Sequence, residues 1–223
     1  MLKGIIFDVD GTLVDSNDAH AESWVDTFAE AGYDVPFSAV RPLIGMGADK
    51  LLPQTIGVSN ESEEGKKLIR RRSEIFKTKY LPQVKALPGS RELVLRVRED
   101  GLKAIVATSA RDQELSDLLK AARVDDLMEE KATASDAKRS KPDPDIIHAA
   151  IEESAIPPHQ LLMIGDTPYD IEAAARAKVR TIAFRSGGWA DKDLEGAVEI
   201  YDGPADLLAN YDSSFIKTAM VTR

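Results

Sequence analysis

The chain of 223 residues contains no cysteine, and this absence excludes several kinds of chemistry. A disulfide framework and a thiolate metal site both require cysteine, so this protein can form neither. Redox chemistry at a thiol is excluded for the same reason. Any chemistry that the chain performs must rest on other side chains.

Positive charge is also scarce, because 29 lysines and arginines stand against 38 aspartates and glutamates. The formal net charge of −9 argues against a nucleic-acid or anionic-membrane partner, since both bind a basic surface. Arg70-Arg71-Arg72 is a local exception, and its acidic surroundings favour a solvated helix face over a phosphate-binding patch. The sequence leaves the oligomeric state open.

Long apolar runs are missing as well. No stretch approaches the ~18 apolar residues of a membrane span, and the run before Asp8 is too short for the apolar part of a signal peptide. We therefore predict a cytoplasmic protein with no membrane partner.

Short apolar runs that end at small or acidic residues recur along the chain. They are Gly4 to Phe7, Ala104 to Ala107, Leu161 to Ile164 and Thr181 to Phe184. A helical pattern precedes or follows each run, which indicates an α/β fold with a parallel sheet. Asp143 and Pro144 predict the start of one such helix, with Asp143 as its N-cap.

The stretch 17–83 has helical patterns without a convincing buried strand. The whole chain exceeds the ~150 residues of a typical domain, which is compatible with one large domain or with a core that carries a smaller insertion. The change of pattern in this stretch favours the insertion. We predict an α/β core of residues 1–16 and 84–223 with an inserted α-helical cap of residues 17–83. An insertion at the carboxyl end of a strand lies over the crevice where open parallel sheets bind ligands, so the cap would act as a lid.

Two carboxylates, Asp8 and Asp10, stand two residues apart where the first apolar run meets glycine. Side chains alternate along a strand, so the two carboxylates would point to the same side. Like charges held this close need a cation, a shared proton or a cationic neighbour. The pair therefore suggests chemistry.

Three further polar elements lie beside the predicted strands and helices. They are Thr108 with Ser109, Lys141 before Pro142, and Asp166 with Asp170. Carboxylates without histidine or cysteine at hand suit a hard cation, and Mg²⁺ is the usual choice where a phosphate shares the coordination sphere. A lysine and a hydroxyl supply the positive charge and the hydrogen-bond donors that a phosphate needs.

The order of these elements resembles the four-motif signature of the haloacid dehalogenase superfamily. The elements are Asp8-Val9-Asp10-Gly11-Thr12, then Thr108, then Lys141-Pro142, then Gly165-Asp166 with Asp170. The resemblance covers nearly the whole chain, and the insertion after Ser16 is similar to the helical cap of phosphoglycolate-phosphatase-like and β-phosphoglucomutase-like members. It implies a Rossmann-like core and a Mg²⁺-dependent phosphatase of a small phosphorylated metabolite.

The resemblance also implies the roles of the carboxylates. Asp8 would attack phosphorus to form an aspartyl-phosphate. Asp10 would protonate the leaving alkoxide and then deprotonate the attacking water. Asp8, Asp166 and the backbone carbonyl of Asp10 would bind Mg²⁺, with Asp170 as a further ligand or as support for the others.

The remaining candidates would contact the substrate. Thr108, Ser109 and Lys141 would hold the transferring phosphoryl oxygens, as the resemblance implies. From the cap, His20 follows the catalytic loop closely in sequence, and Lys50 follows a glycine-rich segment that could reach the cleft. We treat His20 and Lys50 as candidate substrate contacts.

Several other functions are compatible with parts of this pattern. A β-phosphoglucomutase-like phosphosugar isomerase shares the four motifs, but such proteins use a cap arginine where Ala48 and Asp49 stand here. A phosphonate hydrolase would need a cap lysine, for which Lys50 is the candidate. A phosphate-binding module without activity predicts the loss of a catalytic residue, and none is lost. A dehalogenase would have no use for Asp10, because halide leaves without a proton.

Overall fold

The computed structural model describes residues 1–110, 112–128 and 130–221. Its strands are β1 (Gly4–Phe7), β2 (Val14–Asp15), β3 (Lys85–Ala86), β4 (Lys103–Ala107), β5 (Glu130–Ala132), β6 (Leu161–Gly165), β7 (Arg180–Phe184) and β8 (Glu199–Tyr201). Six of them form one sheet in the order β5-β4-β1-β6-β7-β8, and every neighbouring pair in it is parallel. The predicted parallel α/β sheet is confirmed.

The register of the sheet determines where the functional segments meet. β1 lies between β4 and β6, and its last residue, Phe7, pairs with residues at or near the ends of both neighbours. Parallel strands all end at one edge of the sheet. The segments that begin at Asp8, Thr108 and Asp166 therefore start beside one another.

Helices cover both faces of the sheet. Those of the α/β part follow the helices of the segment 17–83, and they are α5 (Ser90–Glu99), α6 (Asp112–Ala122), α7 (Asp145–Ser154), α8 (Pro168–Arg176), α9 (Pro204–Ala209) and α10 (Phe215–Val221). Side chains of β1 alternate between the two faces. Phe7 packs in the cluster that contains Leu118 of α6, whereas Ile6 packs with Ile147 of α7.

The segment 17–83 is helical and has an apolar core of its own. Its helices are α1 (Asn17–Glu30), α2 (Phe37–Val40), α3 (Ala48–Ile56) and α4 (Glu63–Ile75), and α4 continues as a π-helical turn, Phe76–Tyr80. Trp24, Phe28 and Leu52 belong to an apolar cluster separate from those of the sheet. The antiparallel pair of β2 and β3 joins the chain on either side of the segment. The division into core and cap stays a prediction.

Among the described residues, no helix combines the length and apolar character that a membrane crossing requires. One local prediction was wrong. α7 begins at Asp145, and Pro144 rather than Asp143 occupies its N-cap position. The Asp143 carboxylate instead lies 2.7 Å from Lys50 Nζ and 3.4 Å from the Arg176 guanidinium, and these charged partners outweigh the bond to a helix terminus.

The separate apolar core of the segment 17–83 predicts a specific stability loss. Leu52 is fully buried in it, so Leu52→Ala is expected to lower the free energy of unfolding by about 2–5 kcal/mol. Urea unfolding followed by circular dichroism measures this. Phe37→Ala is the control, because Phe37 is 38% exposed and its loss should cost about 0.5 kcal/mol or less. Equal losses for both variants would contradict the burial argument.

Candidate active site

A buried lysine pairs with the carboxylate that follows β1. Lys141 Nζ lies 2.5 Å from Asp8 Oδ1 and 2.8 Å from Asp170 Oδ1, and it donates to the carbonyl oxygen of Ala107 at 3.0 Å. Burial alone lowers the pKa of Lys141, but Asp170 and Asp8 reverse this and hold it above its ordinary value. The lysine is therefore a fixed positive charge beside Asp8.

Asp166 and Asp170 are held in place by neighbouring polar groups. The side-chain amide of Asn17 donates to Asp166 Oδ2 at 2.8 Å, and the Thr12 hydroxyl donates to Oδ1 at 3.3 Å. Asp170 Oδ2 accepts from the backbone N–H of Thr167 at 3.0 Å and from its hydroxyl at 2.7 Å. The Asp170 backbone N–H donates in turn to the Thr167 hydroxyl at 3.2 Å, which completes a capping box, so the start of α8 orients Asp170.

The three buried carboxylates form a group that fits a metal ion. Asp8, Asp166 and Asp170 each offer one oxygen, and these atoms lie within 4.8 Å of one another. Burial, with the neighbouring carboxylates adding to it, raises the pKa of Asp8 to about 8 and that of Asp166 well above its usual value, although Lys141 opposes both shifts. The charge of Lys141 offsets only part of the charge of these three carboxylates, and a group of oxygen ligands with excess negative charge suits a hard divalent cation. Asp8, Asp166 and Asp170 are the residues that could hold one.

Two glycines allow the backbone to approach this carboxylate group. Gly11 has φ +74°, and a Cβ placed on it would lie 2.1 Å from Asp166 Oδ2. A Cβ on Gly187 would lie 2.4 Å from the same oxygen. Any side chain at either position would displace Asp166, so the site requires glycine there.

Asp10 contacts different residues from those that Asp8 contacts. Its Oδ1 accepts from the Ser16 hydroxyl at 2.5 Å and is 2.6 Å from His20 Nε2. Burial raises the pKa of Asp10, but His20, Ser16 and the charge of Arg72 outweigh burial and place it below the ordinary value. The two aspartates therefore have pKa values shifted in opposite directions.

A cavity of about 450 Å³ is lined by the sheet edge on one side and the helical segment on the other. Asp8, Asp10, Thr108 and Ser109 line it, and so does His20. Both ring nitrogens of His20 already contact protein groups, Asp10 and Arg72. The predicted roles of these residues toward a substrate stay predictions.

Two of the predicted substrate contacts bind protein groups in this structure. The Ser109 hydroxyl donates to the carbonyl oxygen of Gly45 at 3.3 Å. Lys50 Nζ donates to Asp143 at 2.7 Å, so its charge is matched by a carboxylate outside the predicted catalytic set. The predicted substrate role of Lys50 is untested by this contact.

The expectation of a solvated face for Arg70-Arg71-Arg72 was wrong for Arg72. Arg70 and Arg71 are exposed, but Arg72 lines the cavity and donates to both carboxylate oxygens of Glu114, at 3.0 and 2.8 Å. The sequence carried a signal for this. Leu68, Arg72 and Phe76 are spaced by four, so Arg72 lies on the buried face of α4 and its continuation.

Two other residues of the site were not found from the sequence. Glu114 lies on α6 and lines the cavity, and Asn17 begins α1 and binds Asp166. Both are single polar residues at helix positions that suit exposure as well as burial. Only the packing of the two helices against the sheet edge reveals their partners.

A model of the haloacid dehalogenase-like hydrolase family matches residues 5–184. The protein PpaX of Caldanaerobacter subterraneus subsp. tengcongensis, whose name describes a pyrophosphatase, is 30% identical over 82% of this chain and 82% of its own. A phosphoglycolate phosphatase of Nitrosospira multiformis is 28% identical over 79% of this chain and 80% of its own. The crystal structure of a hydrolase from Pseudomonas syringae superposes with a TM-score of 0.86, at 30% identity, and covers 95% of this chain and 98% of that one.

The raised pKa of Asp8 predicts a pH-dependent affinity for a divalent metal ion. As the pH falls through about 8, Asp8 takes up a proton and ceases to be a ligand. Below that pH, the apparent Kd for Mg²⁺ should rise about tenfold per pH unit for each carboxylate that must lose its proton. Thermal unfolding in an MgCl₂ titration, at about pH 6.5 and about pH 8.5, measures this through the rise in Tm.

Two variants control for general salt effects. Asp166→Asn removes one carboxylate of the group and should abolish the rise in Tm at both pH values. Asp126→Asn, at an exposed aspartate that pairs with Arg91, should leave it unchanged. Equal stabilisation of the unaltered protein at both pH values would count against metal binding through Asp8.

Proposed function

This chain belongs to the haloacid dehalogenase-like hydrolase family, and we propose that it hydrolyses small phosphomonoesters with the help of Mg²⁺. One observation carries the proposal. Asp8 lies in a buried carboxylate group beside a charged lysine, whereas Asp10, two residues on, lies among hydrogen-bond donors at the same cavity. A nucleophile that attacks a phosphate needs positive charge beside it, and a proton carrier needs an oriented carboxyl group at the same cavity.

The first step is the attack of Asp8 on phosphorus. A new bond forms between a carboxylate oxygen of Asp8 and phosphorus, the phosphorus–ester bond breaks, and its electron pair goes to the ester oxygen. Lys141 supplies a fixed positive charge beside the attacking carboxylate. Mg²⁺, held by Asp8, Asp166 and Asp170, would offset the repulsion between a carboxylate and a phosphate dianion.

Asp10 moves the proton in both steps. An alkoxide leaves poorly unless it is protonated, so a proton passes from Asp10 to the ester oxygen as that bond breaks. In the second step a water attacks phosphorus, its proton returns to Asp10, and the bond between phosphorus and Asp8 breaks. The donors on Asp10 both reach Oδ1, which leaves Oδ2 as the oxygen that exchanges the proton.

Thr108, Ser109 and Lys141 are proposed to hold the phosphoryl oxygens. Thr108 and Ser109 line the cavity directly after β4, beside the end of β1. The backbone carbonyl of Asp10 is proposed as an additional ligand of Mg²⁺. The substrate is proposed to be a small phosphorylated metabolite, such as a phosphoglycolate-like or sugar-phosphate-like ester. The cytoplasmic location stays a prediction.

The β-phosphoglucomutase-like isomerase remains the main alternative, because it would use the same residues at Asp8, Asp10 and Lys141. The carboxylate of Asp49, at the cap position where an arginine is expected, accepts from the backbone N–H of Ser140 at 3.2 Å. An anion at that position disfavours a second phosphate. A phosphonate hydrolase is disfavoured because Lys50, its candidate amine, is a charged partner of Asp143.

Replacing the proposed nucleophile tests the reaction. Asp8→Asn should lower the hydrolysis of p-nitrophenyl phosphate with Mg²⁺ by at least about a thousandfold, because an amide cannot attack phosphorus. EDTA should abolish the activity of the unaltered protein. Asp126→Asn is the matched control and should keep full activity. Unchanged turnover in Asp8→Asn would contradict the mechanism, and sugar-phosphate interconversion without phosphate release would favour the isomerase.

Replacing the proposed proton carrier should affect substrates unequally. Asp10→Asn should lower kcat/KM for glycerol 3-phosphate by about 10²–10⁴-fold, since its alkoxide needs a proton. For p-nitrophenyl phosphate the loss should be far smaller, because p-nitrophenolate leaves without one. The value of kcat/KM is the correct measure, as it reports steps up to aspartyl-phosphate formation only. Equal losses for both esters would remove Asp10 from proton transfer.

A further inference from the structure

A continuous line of partly buried contacts runs from Asp10 through two residues of the helical segment, His20 and Arg72, to Glu114 of α6. His20 Nε2 is 2.6 Å from Asp10 Oδ1, and His20 Nδ1 contacts Nη2 of Arg72. The Arg72 guanidinium in turn donates twice to Glu114 of α6. The Arg72 and Glu114 side chains are 12% and 15% exposed, so water screens this ion pair only weakly.

The direction of each hydrogen bond in this line follows from the chemistry of arginine. A guanidinium has donors and no acceptor, so Nδ1 of His20 must accept from Arg72 through its lone pair. The proton of the neutral ring is then on Nε2, which donates to Asp10 Oδ1. Arg72 therefore selects the histidine tautomer that Asp10 requires.

Arg72 keeps this position because its other donors are also bound. Its Nε donates to the Ser23 hydroxyl at 3.1 Å, and that hydroxyl donates to the backbone carbonyl of His20 at 2.7 Å. The guanidinium lies 4.8 Å from the ring centre of Phe76, and His20 stacks on the same ring at 4.1 Å. The one carboxylate among the contacts described for Arg72 is that of Glu114.

We propose that Glu114 is a positioning residue for the proton transfer of Asp10, acting through Arg72 and His20. The proposal rests on the proposed function, because it assigns a residue to one step of that reaction. Without the Glu114 charge, Arg72 is a partly buried cation with no carboxylate partner, and the cavity offers it solvent or substrate oxygens instead. When Arg72 no longer contacts Nδ1, His20 is free to change tautomer. Asp10 then loses one hydrogen-bond donor and its fixed orientation.

The step affected is proton delivery to the leaving group. With Oδ1 held by Ser16 and His20, the carboxyl group of Asp10, a residue that lines the cavity, has a fixed orientation. A loosened Asp10 delivers its proton less efficiently to an alkoxide, but an aryl oxide of low basicity is unaffected. Leaving-group dependence therefore separates this role from a purely structural one.

The test compares Glu114→Gln with the unaltered protein on glycerol 3-phosphate and p-nitrophenyl phosphate. We expect kcat/KM to fall about tenfold for the alkyl ester and no more than about twofold for the aryl ester. Glu114→Asp keeps the charge and should restore most of the alkyl activity. Glu30→Gln is the matched control, because Glu30 pairs with the neighbouring Arg71 on the exposed side of α4 and should change neither value.

The Asp10→Asn background makes the test specific. There, Glu114→Gln should no longer change the ratio of alkyl to aryl activity, because the group it positions is gone. Three outcomes would overturn the proposal. In the protein that keeps Asp10, Glu114→Gln could lower the activity on both esters equally, or on neither. In the Asp10→Asn background, Glu114→Gln could still change the ratio of alkyl to aryl activity.

Two outcomes keep the proposal separate from its premise and from folding defects. If Glu114→Gln fails to fold, Glu114→Asp takes its place, and a smaller loss confined to the alkyl ester is then expected. If the unaltered protein cleaves neither ester with Mg²⁺ present, the proposed function fails. The role of Glu114 fails alone when the unaltered protein is active and the ratio does not respond.

Discussion

One buried ammonium among three buried carboxylates is the constraint on which the rest of the site depends. Lys141 is 1% exposed and contacts Asp8 and Asp170, while Asp166 completes the group. Buried charges are tolerated only when they are paired, and here one positive charge faces three negative ones. Burial, with the remaining negative charge adding to it, raises the pKa of Asp8 and Asp166, and the same excess of negative charge makes the group suitable for a divalent cation.

The same strand end carries a second carboxylate with the opposite electrostatic behaviour. Asp10 has two donors on one oxygen and a nearby guanidinium, so its pKa is lowered although it is buried. Asp8, two residues earlier, has a raised pKa. The fold thus places Asp8 among other carboxylates and Asp10 among hydrogen-bond donors, although the two residues are close in the sequence. A divalent cation at the carboxylate group would favour the ionised form of Asp8 that attacks phosphorus, and the two donors on Oδ1 of Asp10 leave Oδ2 to exchange a proton.

What the sequence predicts well is local in origin. The four apolar runs became β1, β4, β6 and β7 because branched side chains followed by small or acidic residues mark buried parallel strands. Motif order at strand ends then predicted which residues would meet. Long-range pairings could not be predicted: Arg72 with Glu114 spans 42 positions, and Asn17 with Asp166 spans 149. Asp143 does not cap α7 because its carboxylate forms an ion pair with Lys50, which is distant in the sequence.

The contacts between the helical segment and the sheet edge use the backbone of the segment as much as its side chains. The Tyr169 hydroxyl donates to the carbonyl oxygen of Pro42 at 2.6 Å, and Ser109 donates to that of Gly45. Between and beside these carbonyls, Ile44 and Met46 line the cavity. Because a carbonyl is present whatever the side chain, these two contacts do not depend on which side chains line the cavity. The side chains that line the cavity can therefore vary while these two contacts still hold the segment against the α/β part.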